Sequence, residues 1–522
     1  MIRIKSAPRF FVDHFVMHMK YFRLILVLLA MATGPSAGAE ELLWFSSGRP
    51  TAQAYAAVEV LSLAAAQGLD PRDYDTELIS RRLAQASQGL PPDEPTQAAL
   101  DTAITRALQG YLSDLQNGRV DPRGIHANFD VRRAAPLDAD AYLRAAVADQ
   151  RVGQALREAE PRVPMYAALR HVLARYRALA GHPAWEVPLP PVPGRKLSTG
   201  QSWAGLPLLA RRLQALGDFP AGTPVPARLE GTLVTALQSF QERHGLTPDG
   251  VLGQATLQQL GVTPAARMRQ IELALERLRW TPLLQGPRMI VVNVPEFVLR
   301  AYEVHDGKVD VQVTMKVIVG KAMDTRTPLF DEDMRFIEFS PYWNVPPSIA
   351  RNETVPRLRR DPAYFSQQGF EFVTPAGEVV TTLSASHLDA VLRGGWRIRQ
   401  RPGAHNALGG IKFVFPNRDN IYLHHTPAPT LFARDRRDFS HGCIRVEEPM
   451  ALARFVLREE PEWTEDRIRA AMDKGESSVL RLSKPLPVLI AYSTVVVKGA
   501  RVFFYPDLYG HDRVLDQALR QR

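Results

Sequence analysis

The one cysteine among 522 residues, Cys443, stands in the run Ser440-His441-Gly442-Cys443-Ile444-Arg445. A thiol is a strong nucleophile only as the thiolate, and its free pKa of about 8.5 falls by several units beside a histidine. Three histidines are close along the chain: His424, His425 and His441. Residues 420–424 alternate in character. As a strand they turn Ile421 and Leu423 to a core, and Tyr422 and His424 to the opposite face. Ile444 and Val446 resume the same alternation with Arg445 between them. Two strands joined by a long loop would bring His424 to Cys443. Gly442 permits a tight turn and close approach of backbone to a substrate, so the N–H groups of Gly442 and Cys443 are candidate oxyanion donors. Cysteine with histidine is the usual arrangement for covalent acyl transfer. Two other readings compete. A lone cysteine is often a small buried hydrophobe. Three histidines and a cysteine also suit zinc, but there is no C-x-x-C, no helical H-x-x-x-H, and His441 lies only two residues from Cys443.

These groups need a rigid frame, and the chain changes period where one would begin. After Pro287 the apolar spacing passes from 3.6 to 2, and residues 288–294, 297–302 and 309–319 read as strands. Further strands are expected at 336–339, 411–415, 420–424, 488–497 and 501–505. A polar, partly helical stretch at 346–392 interrupts them and is long enough to be a flap over a cleft. Residues 40–200 read as helical, with apolar residues at helical spacing over 52–68, 101–118 and 161–179. The Pro-rich stretch 186–195 breaks that pattern. Short helices follow over 205–262, and then an amphipathic helix at 268–280.

Length suggests two to four domains. The hydrophobic fraction of 45% and the charged fraction of 23% are those of a globular protein. At the N-terminus, Lys20 and Arg23 precede the apolar run 24–32, and small residues end in Ala37-Gly38-Ala39. This is the form of a secretory signal peptide, too short for an ordinary membrane span. Residues 1–39 hold five basic residues and Asp13, so the net charge of +9 becomes +5 without them. A mildly basic surface suits an anionic polymer, and nothing in the chain has the form of a nucleic-acid motif.

Two stretches resemble known families. Phe240-Gln241, Gly245-Leu246, Asp249-Gly250-Val251, Gly253 and Thr256 follow the pattern of the small peptidoglycan-binding domain found beside cell-wall enzymes. His424, then Ser440-His441-Gly442-Cys443-Ile444-Arg445, resembles the signature of L,D-transpeptidases. Val319-Gly320-Lys321, Thr327-Pro328, Tyr342-Trp343-Asn344-Val345-Pro346 and residues 403–409 extend that likeness. Gly68-Leu69-Asp70-Pro71 and Gly118-Arg119-Val120-Asp121-Pro122 look like the scaffold of the large, multidomain members.

The resemblance implies a multidomain α+β chain. Its expected parts are a signal peptide at 1–39, a helical scaffold at 40–204, a three-helix peptidoglycan-binding-like domain at 205–262 and a linker helix at 263–287. A β-rich, β-sandwich-like catalytic domain would follow at 288–480 with a capping subdomain at 346–392, and C-terminal strands at 481–522. It also implies a site: Cys443 as nucleophile, His424 as general base and acid, and His441 shaping the site. Ser440 belongs to the motif, Gly442 and Cys443 supply N–H donors, and Tyr422 adds a hydroxyl near the oxyanion. Arg445 is read either as a clamp on a substrate carboxylate or as a structural ion pair. No third member of the constellation is identified, although a carbonyl near His425 would suffice to orient His424.

The implied reaction releases terminal D-Ala from a tetrapeptide stem and joins the acyl group to a diamino-acid amine, a 3–3 cross-link, without metal or organic cofactor. Water or a lipoprotein amine as acceptor, cleavage of existing cross-links, and a non-catalytic wall-binding role are the alternatives. Expected partners are peptidoglycan stem peptides and carbapenem-type inhibitors, not nucleic acid. The expected location is the periplasm, with a membrane anchor only where the signal stays uncleaved.

Overall fold

The computed structural model describes residues 42–521 apart from 89, 127–128, 130, 132–136, 282 and 284–285. The signal-peptide expectation at 1–39 lies outside the described residues. No helix among them is long and apolar enough to cross a membrane.

Residues 288–491 form the β-rich part. Its main sheet has nine strands: β1 (Arg288–Asn293), β2 (Val298–His305), β3 (Lys308–Gly320), β4 (Phe330–Phe339), β5 (Ile411–Val414), β6 (Leu423–His424), β7 (Asp438–Ser440), β8 (Ile444–Val446) and β9 (Ser478–Ala491). Their order is β7-β3-β8-β6-β5-β4-β9-β1-β2, and β2 also pairs with β3. The long β3 therefore joins both ends: its first part runs beside β2 and its last residues beside β8. Ile337, Phe413, Leu423, Ile444 and Val446 from four of these strands meet in one buried core. The strand expected at 420–424 is only Leu423–His424, and the one expected at 488–497 divides. Its first part belongs to β9, and Val495–Lys498 pairs instead with Arg501–Phe504 in a separate hairpin.

The stretch expected as a polar flap has a core of its own. Strands Trp343–Asn344, Phe370–Val373, Val379–Val380 and Arg397–Gln400 make a four-stranded sheet. Phe365, Phe372, Leu388 and Ile398 fill it together with Val355 and Leu358. Two of those strands lie outside 346–392, so this small folded unit is wider than the stretch read from polarity.

The peptidoglycan-binding-like stretch holds three helices, Leu206–Leu216, Thr232–Arg243 and Gln254–Gly261. The residues that carry its resemblance serve the fold. The buried Gln241 amide donates to Asp249 Oδ1 and the Val251 carbonyl, both at 2.9 Å, and accepts from the Gly250 N–H at 2.8 Å. The Pro-Asp-Gly turn is thus tied to the helix that precedes it.

The helix Pro264–Trp280 departs most from its expected form, an amphipathic linker. Glu276, Arg277 and Arg279 are all buried in it. Glu276 accepts from the backbone N–H groups of Arg119 and Val120 and, at 2.8 Å, from Arg279. Arg279 also donates to the Gln67 carbonyl and to the Tyr166 hydroxyl. Arg277 pairs with Asp512 of the C-terminal helix His511–Arg520. Both glycine motifs of the scaffold dock here. Gly118 has φ +72°, and a Cβ added to it would meet Trp280 Nε1 at 2.2 Å, so only glycine fits. Tyr166, Phe240, Ile271 and Phe504 share one core, so the helical region, the three-helix stretch and the C-terminal hairpin pack together around this helix.

Removing one partner of a buried ion pair leaves a charge without compensation, at a cost of about 3–5 kcal/mol. The Arg279 and Glu276 side chains are 0% and 2% exposed. Glu276→Gln is therefore expected to lower stability by about that amount, read as a lower midpoint in urea with an unchanged slope. An unmoved midpoint would show that the pair does not hold these regions together.

Candidate active site

Strand register sets the site. β6 and β8 pair in parallel, with Leu423 opposite Ile444 and His424 opposite Arg445. The Ile444 N–H donates to the Tyr422 carbonyl at 3.0 Å. One step back in the same register, Tyr422 lies beside Cys443. Leu423 and Ile444 face the core, so Tyr422, His424, Cys443 and Arg445 share the other face. A slip by one residue would turn Leu423 and Ile444 out of the core, losing about 2 kcal/mol for each side chain.

The His424 ring is fixed. Its Nδ1 lies 2.5 Å from the His425 carbonyl oxygen. An Nδ1–H donated to that carbonyl leaves Nε2 as the lone-pair nitrogen. The carbonyl named as a possible orienting group is therefore in contact with the ring. His425 is held in turn: its N–H donates to the Ile411 carbonyl and its Nδ1 accepts from the Gly410 N–H. His424 is 4% exposed, so the polar face is covered rather than open. Burial first, and then the Arg445 charge, push its pKa down to about 3.

Cys443 departs from the expected low-pKa thiol. Burial raises its pKa; hydrogen bonds from the Tyr422 backbone and hydroxyl, and the charges of Lys412 and Arg445, pull the other way without reversing the rise. In this structure the thiol donates to the Asn420 carbonyl, at 3.7 Å, rather than to His424. Both shifts favour a neutral thiol and a neutral imidazole over a thiolate–imidazolium pair.

The turn before Cys443 is braced from within. The Ser440 hydroxyl donates to the Cys443 carbonyl at 2.6 Å and accepts from the Gly442 N–H at 3.2 Å. The Gly442 N–H is therefore engaged with Ser440 in this structure, and serving as the expected oxyanion donor would require it to leave that bond. No partner for the Cys443 N–H is found among the described residues. Gly442 has φ +115°, a conformation open to glycine. Thr327 supports it, donating to the Gly442 carbonyl at 2.7 Å and accepting from the Gly320 N–H at 2.9 Å. This explains why the Val319-Gly320 and Thr327-Pro328 stretches accompany the cysteine motif.

His441 turns away from this row. Its Nε2 meets Glu353 Oε1, on the inserted unit, at 2.6 Å. Arg445 has no carboxylate partner among the described residues, and its buried Nε has no hydrogen bond. The structural ion pair weighed for it is therefore not formed.

Sequence reasoning missed Lys412 and Glu338. They extend the row across two more strands, Lys412 opposite His424 and Glu338 opposite Lys412. The pair is 3.2 Å apart, and the Lys412 ammonium lies 4.4 Å from the Tyr422 ring centroid. The available signal was a single charge between Ile411 and Phe413 in an apolar strand.

Comparison with known proteins agrees with this layout. Residues 37–173 match a "Scaffold domain", 205–260 a "Putative peptidoglycan binding domain" and 287–486 an "L,D-transpeptidase catalytic domain". Residues 287–486 are thus similar to the catalytic domain of L,D-transpeptidases. A Haemophilus influenzae protein named "Putative L,D-transpeptidase" is 31% identical over 250 residues. That match covers 48% of this chain and 49% of the relative, about half of each. Two solved structures overlap 57% and 58% of the chain and the whole of their own. One is a fused zinc-dependent amidase/peptidase with a peptidoglycan-binding domain from Clostridium acetobutylicum, 12% identical with TM-score 0.18. The other is an L,D-transpeptidase from Xylanimonas cellulosilytica, 15% identical with TM-score 0.16. Likeness at those scores carries no argument here.

The burial of His424 makes a prediction about pH. An unfolded histidine titrates near pH 6.5, and folded His424 near 3. Its contribution to stability is full above pH 6.5 and is lost as pH falls toward 3. Ring-labelled NMR is expected to show His424 neutral from pH 8 to pH 5. A midpoint near 6.5 in the folded protein would contradict this environment.

Proposed function

We propose that this chain is a cysteine-dependent L,D-transpeptidase that forms 3–3 cross-links in peptidoglycan. The observation that carries the reading is the shared face of Tyr422, His424, Cys443 and Arg445, with His424 Nε2 left as the free base. The Cys443 sulfur attacks the carbonyl between the L-centre of a diamino acid and terminal D-Ala. His424 takes the thiol proton as the S–C bond forms. The oxyanion is met by the Cys443 N–H and by the Tyr422 hydroxyl. The C–N bond then breaks, and D-Ala leaves as an amine carrying the proton from His424. The thioester next accepts the side-chain amine of a second stem, whose proton passes to His424 while the thiol is restored.

Neutral partners suit this sequence. A base with a depressed pKa stays ready over a wide pH range, and the proton moves only when the sulfur attacks. Arg445 is assigned to a carboxylate of the donor stem, because a guanidinium binds carboxylates bidentately and this one has no protein carboxylate. His441 and Glu353 tie the catalytic motif to the inserted unit, which acts as the cap. The three-helix stretch positions the enzyme on the wall, and the basic apolar start at 1–39 directs the chain to the periplasm.

The test is product analysis with defined tetrapeptide stems. A 3–3 dimer and one D-Ala per cross-link are expected when an amine acceptor is present. A tripeptide as sole product would make the enzyme an L,D-carboxypeptidase, and a product only with a lipoprotein amine would make it an anchoring enzyme. In the same assay Arg445→Met is expected to raise KM for the donor at least tenfold, equivalent to about 1.4 kcal/mol of binding. An unchanged KM would remove Arg445 from the donor site.

A further inference from the structure

Lys412 stands where the sheet has no structural need of a charge. Its strand neighbours Ile411 and Phe413 are fully buried, and Lys412 points the other way, into the polar row. The Lys412 and Glu338 side chains are each 20% exposed. A single part-buried pair of this kind contributes little to stability, so the ion pair alone gives no strong reason for the residue. Its second contact does. A cation over an aromatic face is attracted by the ring's electron density and draws on it. The ring in question belongs to Tyr422, which stands beside Cys443 one step back in the β6–β8 register. Drawing density from a phenol makes its O–H a better donor.

We infer that Lys412 is a positioning residue for the reaction. Held by Glu338 against the Tyr422 ring, it strengthens the Tyr422 hydroxyl as a hydrogen-bond donor to the sulfur of Cys443. The inference rests on the reading of Cys443 as the nucleophile. It also separates the roles of two cations on one face. Lys412 is offset by Glu338 and acts chiefly through Tyr422, beside the direct pull of its charge on Cys443, while Arg445 has no carboxylate partner among the described residues and is open to a ligand. The charged and titratable groups that face this point are Glu338 from β4, Lys412 from β5, His424 and Tyr422 from β6 or its approach, His425 beyond β6, and Cys443 and Arg445 at β8.

The full chain allows a direct test, because Cys443 is its only cysteine and thiol alkylation reads this site alone. Iodoacetamide rates against pH give the thiol midpoint for wild type, Lys412→Met, Lys412→Arg, Glu338→Gln, Tyr422→Phe and Tyr422→Phe/Lys412→Met, with thermal melts alongside. Lys412→Met is expected to raise the midpoint by about one unit, a tenfold slower alkylation at fixed pH below it. Lys412→Arg restores most of the rate. Glu338→Gln moves the midpoint the opposite way, by releasing the cation from its counter-charge. In the Tyr422→Phe background only the direct charge effect remains, so Lys412→Met slows alkylation about threefold rather than tenfold, since interacting residues are non-additive.

Three results overturn the inference. One is a midpoint unmoved by Lys412→Met while the melt falls, which makes the pair structural. Another is equal shifts with and without the Tyr422 hydroxyl, which removes Tyr422 as the intermediary. The last is a shift of the same sign for Glu338→Gln and Lys412→Met. If Lys412→Met fails to fold, Glu338→Gln and Lys412→Arg still decide the sign. None of these outcomes touches the assignment of Cys443, which is tested by its acyl adduct.

Discussion

The parallel pairing of Leu423–His424 with Ile444–Val446 is the constraint on which the site depends. It sets Leu423 and Ile444 in the core and thereby forces Tyr422, His424, Cys443 and Arg445 onto one face. Nothing else needs to aim them. The core holds the register, because a slip of one residue would exchange the two faces. Around this pairing the remaining contacts are local braces. The His425 carbonyl holds one ring, the Ser440 hydroxyl holds the turn, and Thr327 links that turn to Gly320. The inserted unit reaches the motif through Glu353 and His441.

How far this was legible can be judged residue by residue. Alternation in 420–424 and 444–446 separated core from site face, because side-chain direction in a strand is a local property. The braces were visible only as stretches that accompany a signature. Thr327 and Gly320 are more than 110 positions from Gly442 along the chain, and their use depends on folding. Lys412 and Glu338 were missed because cross-strand register is not written in either strand alone. The contact of the Gly442 N–H with its own motif serine was not visible in the motif either. The fold class was legible from periodicity together with the family resemblance. The helix Pro264–Trp280 was not, since its charged residues read as a solvent face while the structure buries them in pairs with Arg119, Val120 and Asp512 as partners.

The electrostatics also differ from the simplest picture of a cysteine enzyme. A preformed thiolate would react with any electrophile that reached it. Here burial pushes the thiol up and the imidazole down, so in the proposed reaction charge forms only during attack. The groups that would meet that charge are already in place: the Cys443 N–H, the Tyr422 hydroxyl and the two cations. Such prearranged dipoles and charges cost no reorganisation during the reaction. Burial that disfavours the resting thiolate therefore also strengthens these groups at the moment the charge appears.

The account stands on a thioester at Cys443, and mass spectrometry of the intact chain tests it most directly. Wild-type protein mixed with a tetrapeptide stem and no amine acceptor is expected to gain the mass of the stem less that of the released D-Ala. Fragmentation should place that mass on Cys443, and Cys443→Ala should gain nothing and release no D-Ala. D-Ala release by Cys443→Ala at the wild-type rate, or an adduct on another residue, would contradict the account.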